Sequence, residues 1–221
     1  MFQIAVLPDL PLASYLEEEQ RIAAGFAGLS PEAQEAGLFF VWQSPPTVIC
    51  GRNQVIEQEV NLDFCREKGI AVVQRKSGGG CVYSDRGNVM VSMIVRPGPV
   101  EEVFPRQMER IAGFLRSLGL HAALSGRNDI LVDGRKVSGN AYCKTPRADI
   151  VHGTLLFDVD FDAMSQAITP SAAKLGRHGV ASVRARVANL KPLLEAVGCP
   201  LDLRHFIGRL ELWLVDGESR V

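Results

Sequence analysis

No stretch of this 221-residue chain is apolar for the roughly 20 residues that cross a bilayer. The longest apolar runs, such as Val89–Val95, fall far short, so no membrane partner is expected. The N-terminus, MFQIAVLPDLPLASYLEEE, has no basic region ahead of its apolar residues and turns acidic by Glu17, which excludes a secretory signal. Neither sign of charge dominates. Lys plus Arg is 24, Asp plus Glu is 25, and the net charge is −1. That leaves no broad basic field, so no nucleic-acid partner is expected. The five cysteines (50, 65, 81, 143, 199) form no CxxC pair, and their odd count reads as free thiols in a reducing cytoplasm. Metal-ligand spacings of the CxxC or HExxH kind are missing. GxxxxGK[ST] and GxGxxG are missing too, which excludes a P-loop and a dinucleotide fingerprint. There are no internal repeats and no low-complexity segment.

What is present reads as a globular protein, with 47% hydrophobic and 22% charged residues. At about 150 residues per domain the length allows one large domain or one and a half. A helix is expected over 14–27, with Leu16, Ile22, Ala23 and Phe26 on one face and Ser14 and Glu17 at capping-box spacing. Gly37–Ile49 reads as two short strands broken by Pro45-Pro46, and Leu62–Lys68 as a short helix stopped by Gly69. Ile70–Gln74 and Val89–Val95 read as strands, the second buried on both faces. Pro97–Pro99 is a turn, and Val100–Leu118 is an amphipathic helix with Val103, Met108, Ile111 and Leu115 inward. Asp133-Gly134 between Ile130–Val132 and Lys136–Tyr142 is a strong hairpin signal. His152–Val159 is a further strand, 160–168 and 189–198 are helical, and Leu201–Val215 is a last helix. The hairpins argue for a mixed or antiparallel sheet rather than regular βα alternation.

Four segments carry candidate chemistry. Arg75-Lys76-Ser77-Gly78-Gly79-Gly80-Cys81-Val82-Tyr83 places three glycines between two strands, where backbone can approach a ligand and its N–H groups can line an anion. Gly51-Arg52-Asn53-Gln54 offers donors at a strand end. Asn128 and Asp129 enter the hairpin, and Lys136 follows its turn. The small polar neighbours Ser138, Gly139 and Asn140 suggest that this strand borders a cavity, where the lysine would hold a phosphate or carboxylate as a point charge. Residues 174–191, KLGRHGVASVRARVANLK, hold five Lys or Arg plus His178 and suit an anionic ligand. Cys143, read in a loop beside Lys144 and Arg147, is the thiol with cations near it. His152 reads as the start of a strand.

In order and spacing, GRNQ, RKSGGGCVYSDRGN, SGRNDILVDGRKVSGNAY, HGTLLFDVD and KLGRHGVASVRARVANL resemble lipoate–protein ligase, of the biotin/lipoate ligase superfamily, over roughly residues 40–191. The resemblance implies an α/β (α+β) fold, a mixed and largely antiparallel sheet flanked by helices, related to class II aminoacyl-tRNA synthetase catalytic domains. It implies ATP-dependent activation of lipoate or octanoate to an acyl-adenylate with Mg²⁺, then transfer to a lysine of an acceptor. The acceptors would be lipoyl domains of 2-oxoacid dehydrogenases or glycine-cleavage H protein. By the same resemblance Lys136 is the catalytic lysine. Arg75, Ser77, Gly78, Gly79, Gly80, Val82 and Tyr83 would bind substrate or adenylate, as would Asn88, Asn128, Asp129, Ser138, Gly139 and Ala141. His152, Gly153, Thr154 and Lys174 complete that set, with Asp129 as an Mg²⁺ ligand and Lys174 and 180–189 in a segment that folds over the adenylate.

The match implies a catalytic domain over 1–191 and a short helical tail over 192–221. No accessory domain is expected within the chain, so a separate small protein would supply one if it is needed. Departures fall on the acyl-pocket wall: Ser84 where the family has histidine, Met90 where it has asparagine, and Gln74 where a second arginine often precedes Arg75. Two alternatives stay open. One is an ATP-independent octanoyl or lipoyl transferase working through a thioester on Cys143, although 123–127 carries no cysteine where such relatives hold theirs. The other is a weakened lipoyl-binding subunit. Biotin ligase is disfavoured, since no GRGRxGR-like motif occurs.

Overall fold

The computed structural model describes residues 2–4, 12–126, 128–168 and 186–216. The strands are β1 (Gln3–Ile4), β2 (Leu38–Trp42), β3 (Thr47–Cys50), β4 (Ala71–Gln74), β5 (Val82–Ser84) and β6 (Asn88–Val95), then β7 (Ala122–Ser125), β8 (Asp129–Val132), β9 (Arg135–Lys144) and β10 (Asp149–Leu156). The helices are α1 (Leu12–Gly25), α2 (Pro31–Ala36), α3 (Ile56–Glu59), α4 (Leu62–Glu67), α5 (Val100–Ser117) and α6 (Phe161–Ala167), then α7 (Leu190–Ala196) and α8 (Leu203–Asp216).

Seven strands form the main sheet in the order β1-β2-β6-β10-β9-β8-β7, antiparallel except for the β1–β2 pair. A second sheet, β4-β3-β5, pairs β3 parallel with β4 and antiparallel with β5. The expected mixed, largely antiparallel sheet flanked by helices is therefore present. α5, α7 and α8 bury one face of the main sheet through Ile111, Leu115, Leu194, Phe206 and Leu210. On the other face Tyr15 and Ala23 of α1, with Phe26 of the turn that follows it, pack against Phe40, Trp42 and Ile150. The small sheet packs with α3, α4 and α6 through Val48, Cys65, Tyr83 and Ala167. Among the described residues no helix is long and apolar enough to cross a membrane.

Several local expectations shift. α1 begins at Leu12, so Ser14 lies inside the helix and does not cap it. α2 was not anticipated; the Ser30 hydroxyl accepts from Ala33 N–H at its start, with Pro31 in the first turn. β9 runs on to Lys144, so Cys143 is a strand residue and not a loop thiol. β10 starts at Asp149, which puts His152 in mid-strand, and it ends at Leu156 instead of Val159. In both cases alternation continues past the polar residues that looked like a boundary, because β9 and β10 pair with each other from Asp149↔Lys144 to Leu155↔Ser138.

Candidate functional site

The register of β2, β6, β10 and β9 fixes which side chains share a face. One row across the sheet is Trp42, Met90, Thr154 and Gly139; the next row on that face is Phe40, Ser92, His152 and Ala141; a third is Leu38, Ile94, Ile150 and Cys143. Gly139, Ala141 and Thr154 are small, so the face is hollow where the first two rows meet β9. The loop 75–81 crosses above this hollow.

Two cavities result. The smaller, about 150 Å³, is walled by Trp42, Ile49, Met90, Ala141 and His152 and roofed by Arg75, Gly79 and Gly80. The larger, about 620 Å³, is lined by Glu59, Tyr83, Asp129, Leu131, Leu156, Met164 and Arg186 among others. They share Gly80, Cys81, Val82, Lys136, Gly139 and Thr154. Lys136 therefore stands at the junction of a narrow slot and a roomier chamber whose lining also holds Glu59, Asp129 and Arg186.

A β-bulge aims that lysine. Gly139 pairs with Asp129 and Ser138 with Ile130, but Leu131 pairs with Lys136, leaving Val137 as the extra residue. Val137 joins the buried core on the α5 side. Gly139 and Lys136 are three residues apart and would face opposite sides of a regular strand; the bulge restores both to the cavity. Lys136 Nζ lies 2.8 Å from Asp129 Oδ1, with both side chains about a third exposed (32% and 33%). Its backbone is pinned too: Lys136 N–H donates to Arg186 O at 2.7 Å, and Ala188 N–H donates to Lys136 O at 2.9 Å.

The glycine loop is held from behind by Arg75. The buried guanidinium donates to the carbonyls of Ile49 (3.0 Å), Gly78 (2.7 Å) and Gly80 (2.9 Å) and to Ser77 Oγ (3.0 Å). Burial lowers the Arg75 pKa from its ordinary value, yet an arginine stays charged. Capturing two loop carbonyls turns them away from the cavity and frees the other side of the loop for a ligand. Gly51 packs beneath: a Cβ there would stand 2.1 Å from Gly79 O.

Ser77 Oγ lies 2.9 Å from His152 Nε2, and His152 Nδ1 lies 2.9 Å from Glu19 Oε2. A thiol also sits at the junction. Cys81 Sγ is 2.9 Å from Cys50 Sγ. Burial first, then the Cys50 contact, pushes the Cys81 thiol up to about 12, so it stays protonated near neutral pH. Tyr83 rises to about 12, again mainly by burial.

The sequence candidates divide as follows. Lys136, Asp129, Gly139, Thr154, Gly80, Val82 and Tyr83 line the larger cavity or the junction. Arg75, Gly79, Asn128, Ala141, His152 and Gly153 line the smaller one. Ser77 faces a third space of about 180 Å³ beside Lys76, Gln20 and Cys143. Asn88, Ser138 and Gly78 line neither main cavity. Ser138 is buried on the opposite face, where its Oγ accepts from Asn140 Nδ2 at 3.1 Å. Asn88 is wholly buried at the head of β6 and reaches only toward Tyr83 O. Asn128 is largely a brace, its Nδ2 donating to Asn140 O at 3.0 Å while Asn140 N–H donates back to Asn128 O at 2.9 Å. Lys174 and residues 180–185 lie outside the described residues. Glu19 and Glu59 were missed: nothing in the run Glu17-Glu18-Glu19 marks the one that points inward, and Glu59 sits in a short polar helix, Ile56–Glu59, with no motif around it.

Mg²⁺ fits the donor set of the larger cavity. It is usually held by one or two carboxylates together with phosphate oxygens, and Asp129 and Glu59 both line that chamber. No denser cluster of three His, Cys, Asp or Glu occurs among the described residues.

Residues 23–211 match the family model described as lipoyl protein ligase A/B catalytic domain. A lipoate-protein ligase of Bacillus subtilis is 44% identical over 168 residues, covering 76% of this chain and 50% of that protein. Lipoate–protein ligase 1 of Staphylococcus aureus is 38% identical over 188 residues, covering 85% of this chain and 56% of its own length. The chain thus spans about half the length of the curated relatives it matches. Among solved structures, a bipartite lipoate protein ligase from Thermoplasma acidophilum, described with its E2 lipoyl domain, superposes with a TM-score of 0.82 at 24% identity, covering 97% of this chain and 84% of that one. A lipoate-protein ligase A bound with ATP gives 0.79 at 24% identity, covering 97% and 85%. At that identity the superpositions establish the fold.

Proposed function

The chain belongs to the lipoyl protein ligase A/B catalytic-domain family, and from that premise we propose that it activates lipoate, or octanoate, with ATP and passes the acyl group to a lysine of an acceptor domain. The observation that carries the reading is the meeting of a narrow and a roomy cavity at Lys136. An acid of this kind is an apolar chain ending in a carboxylate. Its chain suits the slot between Trp42, Ile49 and Ala141, and its carboxylate then arrives at the junction. The larger chamber, with Lys136 and Arg186 for phosphates, suits the nucleotide.

In the first step a carboxylate oxygen bonds to the α-phosphorus of ATP, the bond from that phosphorus to the bridging oxygen breaks, and pyrophosphate leaves. Lys136 holds the carboxylate and α-phosphate together and offsets the charge that gathers between them. The loop over the junction, held by Arg75, keeps water from the mixed anhydride. In the second step the acceptor amine attacks the acyl carbon, an amide forms, AMP leaves with its bonding electrons, and the amine loses its proton. Mg²⁺, held by Asp129 and Glu59 with phosphate oxygens, would neutralise phosphate charge. Lipoyl domains of 2-oxoacid dehydrogenases and glycine-cleavage H protein are the acceptors this reading expects, and the bipartite relative's E2 lipoyl domain supports the first.

Thioester transfer fits the site less well. Cys143 is seven residues along β9 from Lys136, on the order of 20 Å at strand spacing, and lines neither main cavity. Cys81 is at the junction but is held as a thiol. The test is pyrophosphate release with lipoate or octanoate, with and without an acceptor domain. Release that needs acid and ATP, and that falls at least 10³-fold in Lys136→Ala, is expected. Acylation from an acyl-protein donor without ATP, lost in Cys143→Ser or Cys81→Ser, would overturn the ligase reading.

A further inference from the structure

We propose that Glu19 is a positioning residue for the acyl slot, setting both of its walls through one buried hydrogen-bond relay. The inference rests on reading the smaller cavity as the acid site. Glu19 is on α1, is 1% exposed, and does not line that cavity. Two branches leave its carboxylate. In one, Ser92 Oγ donates to Glu19 Oε1 at 2.6 Å and accepts from Trp42 Nε1 at 2.9 Å. This fixes the plane of the indole, which stacks on Tyr15 with centroids 4.7 Å apart and walls the slot. In the other, His152 Nδ1–H donates to the carboxylate at 2.9 Å, His152 Nε2 accepts from the Ser77 hydroxyl at 2.9 Å, and Ser77 Oγ accepts from Arg75 Nε at 3.0 Å. Arg75 in turn holds the carbonyls of Gly78 and Gly80.

The donor and acceptor directions agree along the whole path with a His152 proton on Nδ1 facing the carboxylate. The path also balances charge, since one buried carboxylate faces one buried guanidinium across a histidine and a hydroxyl, which is how a carboxylate survives without water. Docking α1 does not need it. Tyr15 and Ala23 already bury that helix, whereas replacing Glu19 alone leaves Ser92, His152 and the Arg75 charge without their partner, which costs stability. What the carboxylate adds is a shared reference point. Trp42 on β2 and the glycine loop after β4 are far apart in sequence, and Glu19 aligns one with the other.

The experiment uses the full chain with Trp213→Phe, which leaves Trp42 as the only indole. Glu19→Leu removes both branches. Glu19→Gln keeps one acceptor oxygen but sets an NH₂ against a second donor, so it keeps one branch. Expected are a KM for the acid raised at least tenfold in Glu19→Leu and about threefold in Glu19→Gln. The KM for ATP and kcat at saturating acid stay within about twofold when assayed well below the lowered melting temperature of each variant. Trp42 emission becomes more open to acrylamide quenching. Ser77→Ala adds little on top of Glu19→Leu, because the two act through one path. A parental KM with parental Trp42 emission in Glu19→Leu overturns the proposal. So does a loss shared equally by both KM values and kcat that follows a falling melting temperature. If the parent shows no acid-dependent turnover, the ligase reading fails separately. Trp42 quenching then decides the relay alone: a change in Glu19→Leu supports it and no change refutes it.

Discussion

Gly139→Ala should abolish the proposed activity without unfolding the chain. A Cβ built at Gly139 stands 2.9 Å from Lys136 Nζ, 3.0 Å from its Cε and 4.0 Å from Thr154 Oγ1. Ordinary contact lies at about 3.5–4.0 Å, so the lysine tail must withdraw by about 0.5–1 Å. Nothing else has to move: the obstructing atoms end a flexible side chain, and Gly139 is not among the positive-φ glycines. Alanine is better than glycine in a strand by up to about 1 kcal/mol, so the melting temperature should hold or rise slightly. The chemistry is less forgiving. A misplacement of about 1 Å is worth on the order of 10² in rate, or about 2.7 kcal/mol of barrier. The assay is acid-dependent pyrophosphate release beside a thermal melt, with Lys136→Ala and the double variant as controls. The double variant should be no slower than Lys136→Ala, because the methyl acts only through the lysine. Release within about threefold of wild type, or a loss that merely follows the melting temperature, would refute the argument.

Gly153→Ala should do the opposite. Its Cβ would stand 2.0 Å from Asn140 Oδ1 and 2.8 Å from Asn140 Cγ, in a buried side chain held by hydrogen bonds to Asn128 O and Ser138 Oγ, and a urea titration should show a loss of about 3 kcal/mol. Cys81, raised from 9.0 to about 12, should be alkylated at pH 8 on the order of 10³ more slowly than a free thiol, gaining about tenfold per pH unit. The same shift has a sign for stability. The folded state keeps the proton more firmly than the unfolded one, so this contribution is intact below about pH 9 and declines as pH rises toward 12. Cys81→Ala should flatten the alkaline limb of a denaturation series across that window; an unchanged limb would show that the thiol is not what titrates.

Local signals were legible in the sequence wherever one residue decides a conformation. Asp133-Gly134 is a turn with both residues at positive φ (48° and 77°), and Gly69 and Gly119 stop the helices they follow. The glycine loop was legible as a place of close backbone approach, and Gly51 beneath Gly79 is that approach. The division of labour within it was not. Arg75 and Lys76 read alike as cations for an anion, but Arg75 spends three donor contacts on the loop itself and a fourth on Ile49 O of β3. The inward carboxylate of Glu19 joins a histidine 133 positions away, and no periodicity over one helix turn reports a partner at that distance. Ser138 was misjudged for a related reason. Strand parity read from Gly139 puts Ser138 away from the cavity, yet its small size invited grouping with its neighbours.

That parity is also why the sequence pointed to Lys136 for one reason and the structure turns it toward the cavity for another. From the hairpin alone Lys136 and Gly139 belong to opposite faces, and a lysine just past a turn is ordinarily a solvated charge. The bulge changes the count. It places Val137 and Ser138 consecutively on the buried side, Val137 in the α5 core and Ser138 under Asn140, so that Lys136 returns to the cavity face above Gly139. The apolar core thus sets the direction of the Lys136 side chain. Val137 is fully buried, and any register that exposed Lys136 to the core side would both bury an ammonium and expose that valine. Each is worth kilocalories in the same direction. A lysine aimed by burial of its neighbour needs no rigid side chain of its own. Asp129 at 2.8 Å then has only to choose among the rotamers that remain.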